Sequence, residues 1–440
     1  MTRILLRAPK DPFEVRPAEQ VLEQNLIGNN VGNLVFLDAA HKLLSAPGTT
    51  VVADRFRTSK RAADRINDEF DRYVIPLANA FRPTFVKHLD SMTELISRLR
   101  IPVVVLGVGA QATLDYDWSR LGPIERSVRS FVGAVLDHGP SIGVRGELTA
   151  DYLRSLGFAD VEIIGCPSMF AWGPDLRVER KVPELTSEAR IALTVSPYVK
   201  ALGPIVTRHA EAYPNLVYVA QDLETLELLL WGGTHPDAWK TVDNPVHLGH
   251  PLIRENRTVF FLDPHSWIAD LRTRDFSFGT RIHGTIAALL AGTPGVVVAH
   301  DSRTLELARY FDIPHRTIHE VGPETDAADL HAAADWTALN EGHGARWATF
   351  QAYLARHGVD HAFLHDGAPE AWEARVAATA WHPVIRRDPS SRAHAPLGAR
   401  VRRARFGLRK AVRRSSLRRL QRRLVGRVAG RVDSSGPQAG

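Results

Sequence analysis

Cysteine is almost absent from this chain, which has one, Cys166, among its 440 residues. A single cysteine excludes an intrachain disulfide and any metal site built from several cysteines, and it fits a reducing compartment. The chain also has no uninterrupted apolar run of 18 residues, and the apolar stretch near its N-terminus is too short for a signal peptide. We therefore expect a cytoplasmic protein.

Positive charge is scarce outside the C-terminal segment. The net charge is +6, but residues 386–440 hold 17 Lys and Arg against two acids, which leaves 38 basic and 47 acidic residues before them. The high isoelectric point is thus due to the tail, and any argument for nucleic-acid binding from the charge applies to the tail alone. Near-helical spacing of apolar residues among the arginines predicts a basic amphipathic helix or a disordered tail. An anionic membrane surface, a partner protein and nucleic acid stay open as its ligand.

Strand-like and helix-like segments alternate along the rest of the chain. The predicted strands are residues 48–53, 101–107, 141–145, 161–165, 190–195, 216–220, 258–262 and 296–299, and the predicted helices are residues 89–99, 124–136, 147–156, 223–229 and 286–290. Such alternation predicts parallel strands joined by crossover helices. The polar, proline-containing segment 174–188 is typical of a linker, after which the pattern starts again. We expect an α/β fold of two domains.

A turn bracketed by glycines carries the most informative polar residues. Arg281 and His283 lie between Gly279 and Gly284, at the start of the predicted helix. A guanidinium and an imidazole in the first turn of a helix, beside free backbone N–H groups, suit a phosphate or carboxylate ligand. From the residues alone, an ion-paired surface arginine and a helix-capping histidine are the alternative.

Four sequence blocks, in order, resemble the polysaccharide pyruvyl transferase family. Residues 279–303, GTRIHGTIAALLAGTPGVVVAHDSR, resemble its C-terminal signature, and residues 141–170, SIGVRGELTADYLRSLGFADVEIIGCPSMF, resemble its central segment. Residues 24–36, QNLIGNNVGNLVF, are similar to its N-terminal turn, and GVGAQ, residues 107–111, stands where the family has a glycine turn.

The resemblance implies an enzyme that transfers a carboxyethylidene group from phosphoenolpyruvate to two hydroxyls of a saccharide or lipid-linked oligosaccharide. It also implies two Rossmann-like domains facing a cleft, similar to the glycosyltransferase B-type arrangement. We expect an acceptor-side domain over residues 1–180, a donor-side domain with trailing helices over 189–385, and the basic tail over 386–440. A tail on anionic lipid would give a peripheral position at the inner membrane face.

The same resemblance implies which side chains form the site. Arg281 and His283 are expected in catalysis, with His283 as the general acid or as a phosphate ligand. Arg303 stands where the family often has lysine. The substrate-binding residues that we expect are Arg145, Arg303, Asn29, Asn30, Asn33 and Gln111. A salt bridge at a strand end is the alternative for Arg145, a surface charge for Arg303 and a plain turn for the asparagines.

Cofactor and metal signals are weak. His235, His247, His250 and His265 lack the spacing of a helical metal site, and GVGAQ lacks the third glycine of a dinucleotide fingerprint. We expect no cofactor and no metal. Cys166 is expected to serve packing, because no His or Asp is near it in the sequence. Two rival functions stay open: a glycosyltransferase with a nucleotide-sugar donor, and a non-catalytic binding protein with a nucleic-acid-binding tail.

Overall fold

The first of two parallel sheets is built from the N-terminal part of the chain. The protein is described by a computed structural model over residues 1–57, 59–232 and 243–387. The strands are β1 (Thr2–Leu6), β2 (Thr49–Ala53), β3 (Arg72–Pro76), β4 (Asn79–Phe81), β5 (Val103–Leu106), β6 (Gly109–Ala110), β7 (Ile142–Val144) and β8 (Val161–Ile163). The helices are α1 (Ala18–Gln24), α2 (Gly32–Leu44), α3 (Ala63–Glu69), α4 (Val86–Ile96), α5 (Glu125–Leu136) and α6 (Glu147–Ser155).

The strand order of this first sheet is β2-β1-β3-β5. A parallel bridge between Val108 and Val144 extends it toward the pair β7-β8, while β4 pairs with β6 separately. The order places β1 between β2 and β3, so the connections leaving β1 and β2 run to opposite sides. A ligand site is expected at such a switch point, beyond the carboxyl ends of β1 and β3.

The second sheet is also parallel and has helices between its strands. Its strands are β9 (Ile191–Thr194), β10 (Val217–Ala220), β11 (Thr258–Phe260), β12 (Phe276–Gly279), β13 (Gly295–Ala299) and β14 (His315–Thr317). The helices are α7 (Gly203–Ala212), α8 (Leu223–Trp231), α9 (Pro251–Arg254), α10 (Pro264–Arg272), α11 (Ile282–Leu290), α12 (Ser302–Tyr310), α13 (Ala327–Ala333), α14 (Thr337–Arg356) and α15 (Ala368–Ala378). The order β11-β10-β9-β12-β13-β14 is that of a doubly wound sheet, whose switch point lies between β9 and β12.

Both sheets confirm the predicted α/β class with Rossmann-like halves. Every strand pairing within the two sheets is parallel, as strands joined by helical crossovers require. Two central strands of the first sheet, β1 and β3, were not predicted. Each is five residues long and begins or is flanked by arginine, so its apolar run is too short to be distinguished from a helix fragment.

The segment after β14, which holds the predicted trailing helices, joins the two halves. The Tyr353 hydroxyl on α14 donates to the Val105 carbonyl at 2.7 Å and accepts from the Gly143 N–H at 3.1 Å. Ile385 bridges to Phe260 of β11, and Glu373 on α15 pairs with the buried Lys42. Residues 1–387 accordingly form one compact unit.

The boundaries 1–180, 189–385 and 386–440 stay a prediction. The predicted tail helix lies outside the described residues, which end at Arg387. Over the described part of the chain, no helix is long and apolar enough to cross a membrane.

Candidate functional site

The turn after β12 lies against the end of β9, at the switch point of the second sheet. Gly279 has φ 148°, and a Cβ there would come within 2.1 Å of the Thr194 carbonyl oxygen, so only glycine fits. The Thr280 hydroxyl accepts from the Ser196 N–H at 2.7 Å, and the Arg281 N–H donates to Thr194 at 3.1 Å. These contacts fix the start of α11 beside β9.

Arg281 forms an ion pair with a neighbouring carboxylate. Its guanidinium pairs with Asp222, which follows β10, and lies 5.4 Å from the centre of the Tyr198 ring. Burial acts to lower the pKa of Arg281, but Asp222, Tyr198 and Tyr218 outweigh it and the pKa is raised. The ion-paired alternative for Arg281 therefore describes its main contact, and its predicted catalytic role stays a prediction.

His283 is buried at the first turn of α11, with 9% of its surface exposed. Its Nε2 lies 3.7 Å from the Cys166 sulfur, and its ring centre lies 5.3 Å from that of Phe36. Burial, followed by the charges of Arg145 and Arg303, holds the pKa of His283 well below its usual 6.5. The imidazole is thus neutral at pH 7.

Arg145 reaches the same point from the end of β7. It is 2% exposed, its Nε donates to the Gly107 carbonyl at 2.9 Å, and its Nη2 lies 3.6 Å from the Cys166 sulfur. Among the described residues no carboxylate lies within ion-pair distance of it, so the salt-bridge alternative is not observed there. Burial lowers the pKa of Arg145, against the opposing effects of Cys166 and Glu306.

Cys166 is the buried centre of this group. Besides contacting His283 and Arg145, its sulfur accepts from the Ser168 hydroxyl at 3.0 Å. No histidine stands beside Cys166 in the sequence, but His283, 117 residues away, is adjacent to it across the two halves. Full burial of the sulfur agrees with a packing role.

Arg303 completes a group of three basic side chains, Arg145, His283 and Arg303, called the basic cluster. It lies in the first turn of α12 and pairs with Asp301, the residue that caps this helix. With the Asn79 amide oxygen turned toward it, Arg303 Nη1 donates to that oxygen at 3.1 Å. In the opposite orientation of this amide, Asn79 Nδ2 donates to Gln111 Oε1 at 3.0 Å. Arg303 and Gln111, singled out separately in the sequence, therefore meet through Asn79.

The three predicted asparagines form one loop but have different partners. The Asn29 side chain pairs with Asn25 at 2.9 Å, and Asn33 donates to the Gly28 carbonyl at 2.9 Å. Asn30 forms an antiparallel bridge with Asp222, which brings the loop to the end of β10. Asn29 and Asn33 line a cavity of about 370 Å³, whereas Asn30 does not.

Two further titratable residues stand beside the cluster and were not singled out from the sequence. Burial lowers the pKa of Arg82 to about 10, and the nearby charge of Arg303 contributes in the same direction. Burial raises the pKa of Glu306 to about 7, although Thr149 hydrogen bonds and Arg145 oppose this. Neither residue belongs to a motif, and only the approach of the two halves makes them neighbours of the site.

The scattered histidines have separate structural contacts. His250 caps α9, and His265 Nε2 lies 3.1 Å from Asp38 Oδ1. His235 lies outside the described residues. Within the ranges that the structure covers, no three His, Cys, Asp or Glu side chains are grouped so that they could hold a metal ion.

Solved structures that resemble this chain do so weakly. A UDP-GlcNAc 2-epimerase from Neisseria meningitidis is 12% identical, with 86% of this chain and 100% of that chain covered and a TM-score of 0.40. A functional uncharacterized protein from Klebsiella pneumoniae is 13% identical over 70% and 88%, with a TM-score of 0.37. A glycosyltransferase from Streptomyces nogalater is 15% identical over 86% and 99%, with a TM-score of 0.32. These scores are too low to assign a shared activity.

The family comparison is more informative. No curated protein is significantly similar to the chain in sequence. The family model of the polysaccharide pyruvyl transferases, however, matches residues 30–302, well over half of the chain. The matched range holds Arg145 and His283 and ends one residue before Arg303, so it spans the segments that meet around Cys166. The resemblance seen in the sequence is confirmed: the chain belongs to the polysaccharide pyruvyl transferase family.

Proposed function

We propose that this protein transfers the carboxyethylidene group of phosphoenolpyruvate to two hydroxyls of a saccharide and releases phosphate. The observation that carries the proposal is the basic cluster: Arg145, His283 and Arg303 come from three elements, and only Arg303 has a carboxylate partner among the described residues. Phosphoenolpyruvate presents a phosphate and a carboxylate close together. Two guanidiniums can bind both groups in bidentate fashion.

The reaction requires a proton donor for the methylene carbon and cationic groups that bind the phosphate and carboxylate, and the basic cluster can supply both. A proton must be added to the methylene carbon of phosphoenolpyruvate, which leaves an oxocarbenium centre at C2 for the first sugar hydroxyl. The C2–O bond to phosphate then breaks, and the second hydroxyl closes the ketal. Inorganic phosphate leaves with the electron pair of the broken bond. Each attacking hydroxyl loses one proton: one replaces the proton given to the methylene carbon, and the departing phosphate takes up the other.

His283 is our candidate for the proton donor to the methylene carbon. Burial and two guanidiniums disfavour its charged form. Bound phosphoenolpyruvate, a trianion, would offset the charges of the two guanidiniums and favour the imidazolium. Donor binding would therefore protonate His283 and make it able to act as the acid. Arg303 cannot exchange a proton near pH 7, and we assign it to phosphate binding.

Calorimetric titration with phosphoenolpyruvate tests the donor site. We expect saturable binding to the wild-type protein and at least tenfold weaker binding to Arg303→Gln, since a hydrogen bond to a charged group contributes about 1.5–3 kcal/mol. Arg272→Gln, an exposed charge at the end of α10, is the matched control and should bind like the wild type.

UDP-glucose and inorganic phosphate titrations complete this experiment. Tight UDP-glucose binding without phosphoenolpyruvate binding would favour the nucleotide-sugar alternative and overturn the proposal. A saccharide that gains one carboxyethylidene group, as seen by mass spectrometry, when incubated with phosphoenolpyruvate would establish the reaction.

We also propose that the basic tail holds the enzyme at an anionic membrane, near a lipid-linked acceptor. Its 17 Lys and Arg against two acids carry this proposal. The full chain should sediment with vesicles containing anionic lipid and not with neutral vesicles. Tighter binding to duplex DNA than to anionic vesicles at the same salt concentration would contradict it.

A further inference from the structure

A cavity of about 370 Å³ opens at the switch point of the first sheet. Arg7, which follows β1, and Asn79, at the start of the short strand that follows β3, both line it. This volume is within the range of small-molecule sites, about 300–1,000 Å³. Position and size together indicate a ligand site distinct from the basic cluster, whose three members do not line the cavity.

The lining of the cavity is cationic. Two guanidiniums, Arg7 and Arg82, face it together with the amides of Asn29, Asn33 and Asn79. None of the described residues that line it is an aspartate or glutamate. The aromatic rings of the wall, Phe36, Phe56 and Phe85, offer flat apolar faces beside these polar groups. Amides and aromatic faces suit a sugar ring, whereas unpaired guanidiniums suit an anion.

The charges of the two arginines are not cancelled by ion pairs in the described part of the chain. The carboxylate with an electrostatic effect on Arg7 is that of Asp54, which already accepts from the N–H groups of Ala8 and Phe56 and from the Tyr73 hydroxyl. Arg7 Nε is buried without a hydrogen-bond partner.

Arg82 is in a similar position. It donates to the Asn79 carbonyl and to Thr84, both neutral groups. His88 also lines the cavity, and its pKa is lowered first by burial and then by the charges of Arg7 and Arg82. The lining of the cavity therefore carries an excess of positive charge.

The cavity adjoins the basic cluster. Phe36 lines the cavity, and its ring centre lies 5.3 Å from that of His283 and 5.8 Å from the Arg145 guanidinium carbon. Asn79 lines it as well and contacts Arg303. A ligand in the cavity would thus end next to the proposed donor site.

We infer that this cavity binds the acceptor, and that the acceptor is an acidic saccharide whose carboxylate or phosphate group is held by Arg7 and Arg82. The inference rests on the proposed function, since it takes the neighbouring cluster as the donor site. It assigns to Arg82 the part of a specificity-determining residue that selects charged over neutral sugars.

Binding of simple probes to the full chain tests this assignment. Glucose 1-phosphate and glucuronate represent the two acidic groups, and methyl glucoside is the neutral analogue. We expect at least one acidic probe to bind at least tenfold tighter than methyl glucoside. Arg82→Gln should weaken acidic-probe binding about ten- to hundredfold, the range for a lost hydrogen bond to a charged group. Arg82→Lys, which keeps the charge, should retain part of the affinity.

Arg98→Gln is the matched control. It removes an exposed charge just after α4, the helix that carries His88, and should leave probe binding unchanged. Thermal unfolding of each variant checks that it is folded. Should Arg82→Gln not fold, the comparison of Arg82→Lys with the wild type decides, because a planar guanidinium and an ammonium differ in bidentate binding.

Three results would overturn the inference. Equal affinity for neutral and acidic probes would show that the cavity does not select charged sugars. Inorganic phosphate binding as tightly as glucose 1-phosphate would show that the cavity does not recognise the sugar ring. Displacement of the acidic probe by phosphoenolpyruvate at one-to-one stoichiometry would make the cavity the donor site. In each case a separate phosphoenolpyruvate titration shows whether the proposed function itself survives.

Discussion

His283 is the residue whose chemistry depends most on its neighbours. Its low pKa has its origin in burial and in the charges of Arg145 and Arg303, so a bound anion that neutralises those charges should raise it. We predict that phosphoenolpyruvate binding near pH 7 takes up protons from solution. Calorimetry in two buffers of different ionisation enthalpy measures this uptake.

His283→Gln separates proton donation from binding. The variant should bind phosphoenolpyruvate within a few-fold of the wild type, take up fewer protons and turn over about 10²–10⁴ times more slowly. Turnover within a few-fold of the wild type would exclude His283 as the essential acid.

Arg281 is a motif residue whose main contact in the structure is an ion pair with Asp222. Removing one partner of a buried ion pair costs about 3–5 kcal/mol, because the other charge is left buried and unpaired. We predict that Arg281→Gln and Asp222→Asn each lower the free energy of unfolding by that order, with the double variant less destabilised than the sum. Denaturant unfolding measures all three. Additive losses would contradict the coupling, and unchanged stability with lost phosphoenolpyruvate binding would restore a ligand role to Arg281.

At the scale of elements, α2 meets the start of α11 through its first residue, Gly32. A Cβ on Gly32 would lie 2.8 Å from Asn30 Oδ1 and 3.0 Å from both Gln221 Oε1 and the His283 Cβ. The first contact is shorter than real Cβ atoms show, and the other two are at the lower limit. Asn30 and Gln221 end in movable amides, whereas the His283 Cβ is fixed to α11, so the added methyl group would strain the packing of α2 against α11.

We predict that Gly32→Ala lowers the free energy of unfolding by about 1–3 kcal/mol and weakens phosphoenolpyruvate binding. Gly133→Ala is the control, since no atom lies within 4 Å of a Cβ at that helical position, and it should be neutral or stabilising. Thermal unfolding and the donor titration give both readouts. A Gly32→Ala protein as stable as the wild type would show that the two elements are not tightly packed.

Several predicted elements agree with the structure, and they include short buried strands as well as amphipathic helices. The strand over 103–106 and the helix over 125–136 lie within or close to their predicted ranges. β1 was missed although it lies at the centre of its sheet, because Ile4, Leu5 and Leu6 alone show no periodicity. Its place depends on β2 and β3, which pair with it from distant parts of the sequence.

Considered as a whole molecule, the protein buries several histidines that resist protonation. Burial is the largest cause lowering the pKa of His250, His300 and His357 to about 4, against about 6.5 in an unfolded chain. Between these values the unfolded chain binds more protons than the folded one, so the free energy of unfolding falls as the pH falls. Glu306, whose pKa is raised to about 7, opposes this trend as a single group.

We therefore predict a lower melting temperature at pH 5 than at pH 7.5, with each such histidine contributing up to about 1.4 kcal/mol per pH unit below 6.5. His357→Gln should reduce this pH dependence, whereas the exposed His319, changed to Gln, should leave it unaltered. A melting temperature that rises on acidification would show that Glu306 and the acids dominate.

The sequence by itself determined the α/β class, four of the six strands of the second sheet, and the family, because these depend on local periodicity and on short contiguous motifs. It also placed Arg145, His283 and Arg303 on the list of site residues. Only the tertiary structure decided that Cys166 joins Arg145 to His283, that Arg281 pairs with Asp222, and that Arg7 and Arg82 line a cavity beside Phe36. Those contacts join residues far apart in sequence, and pairings of this kind arise from packing, which leaves no local pattern to read.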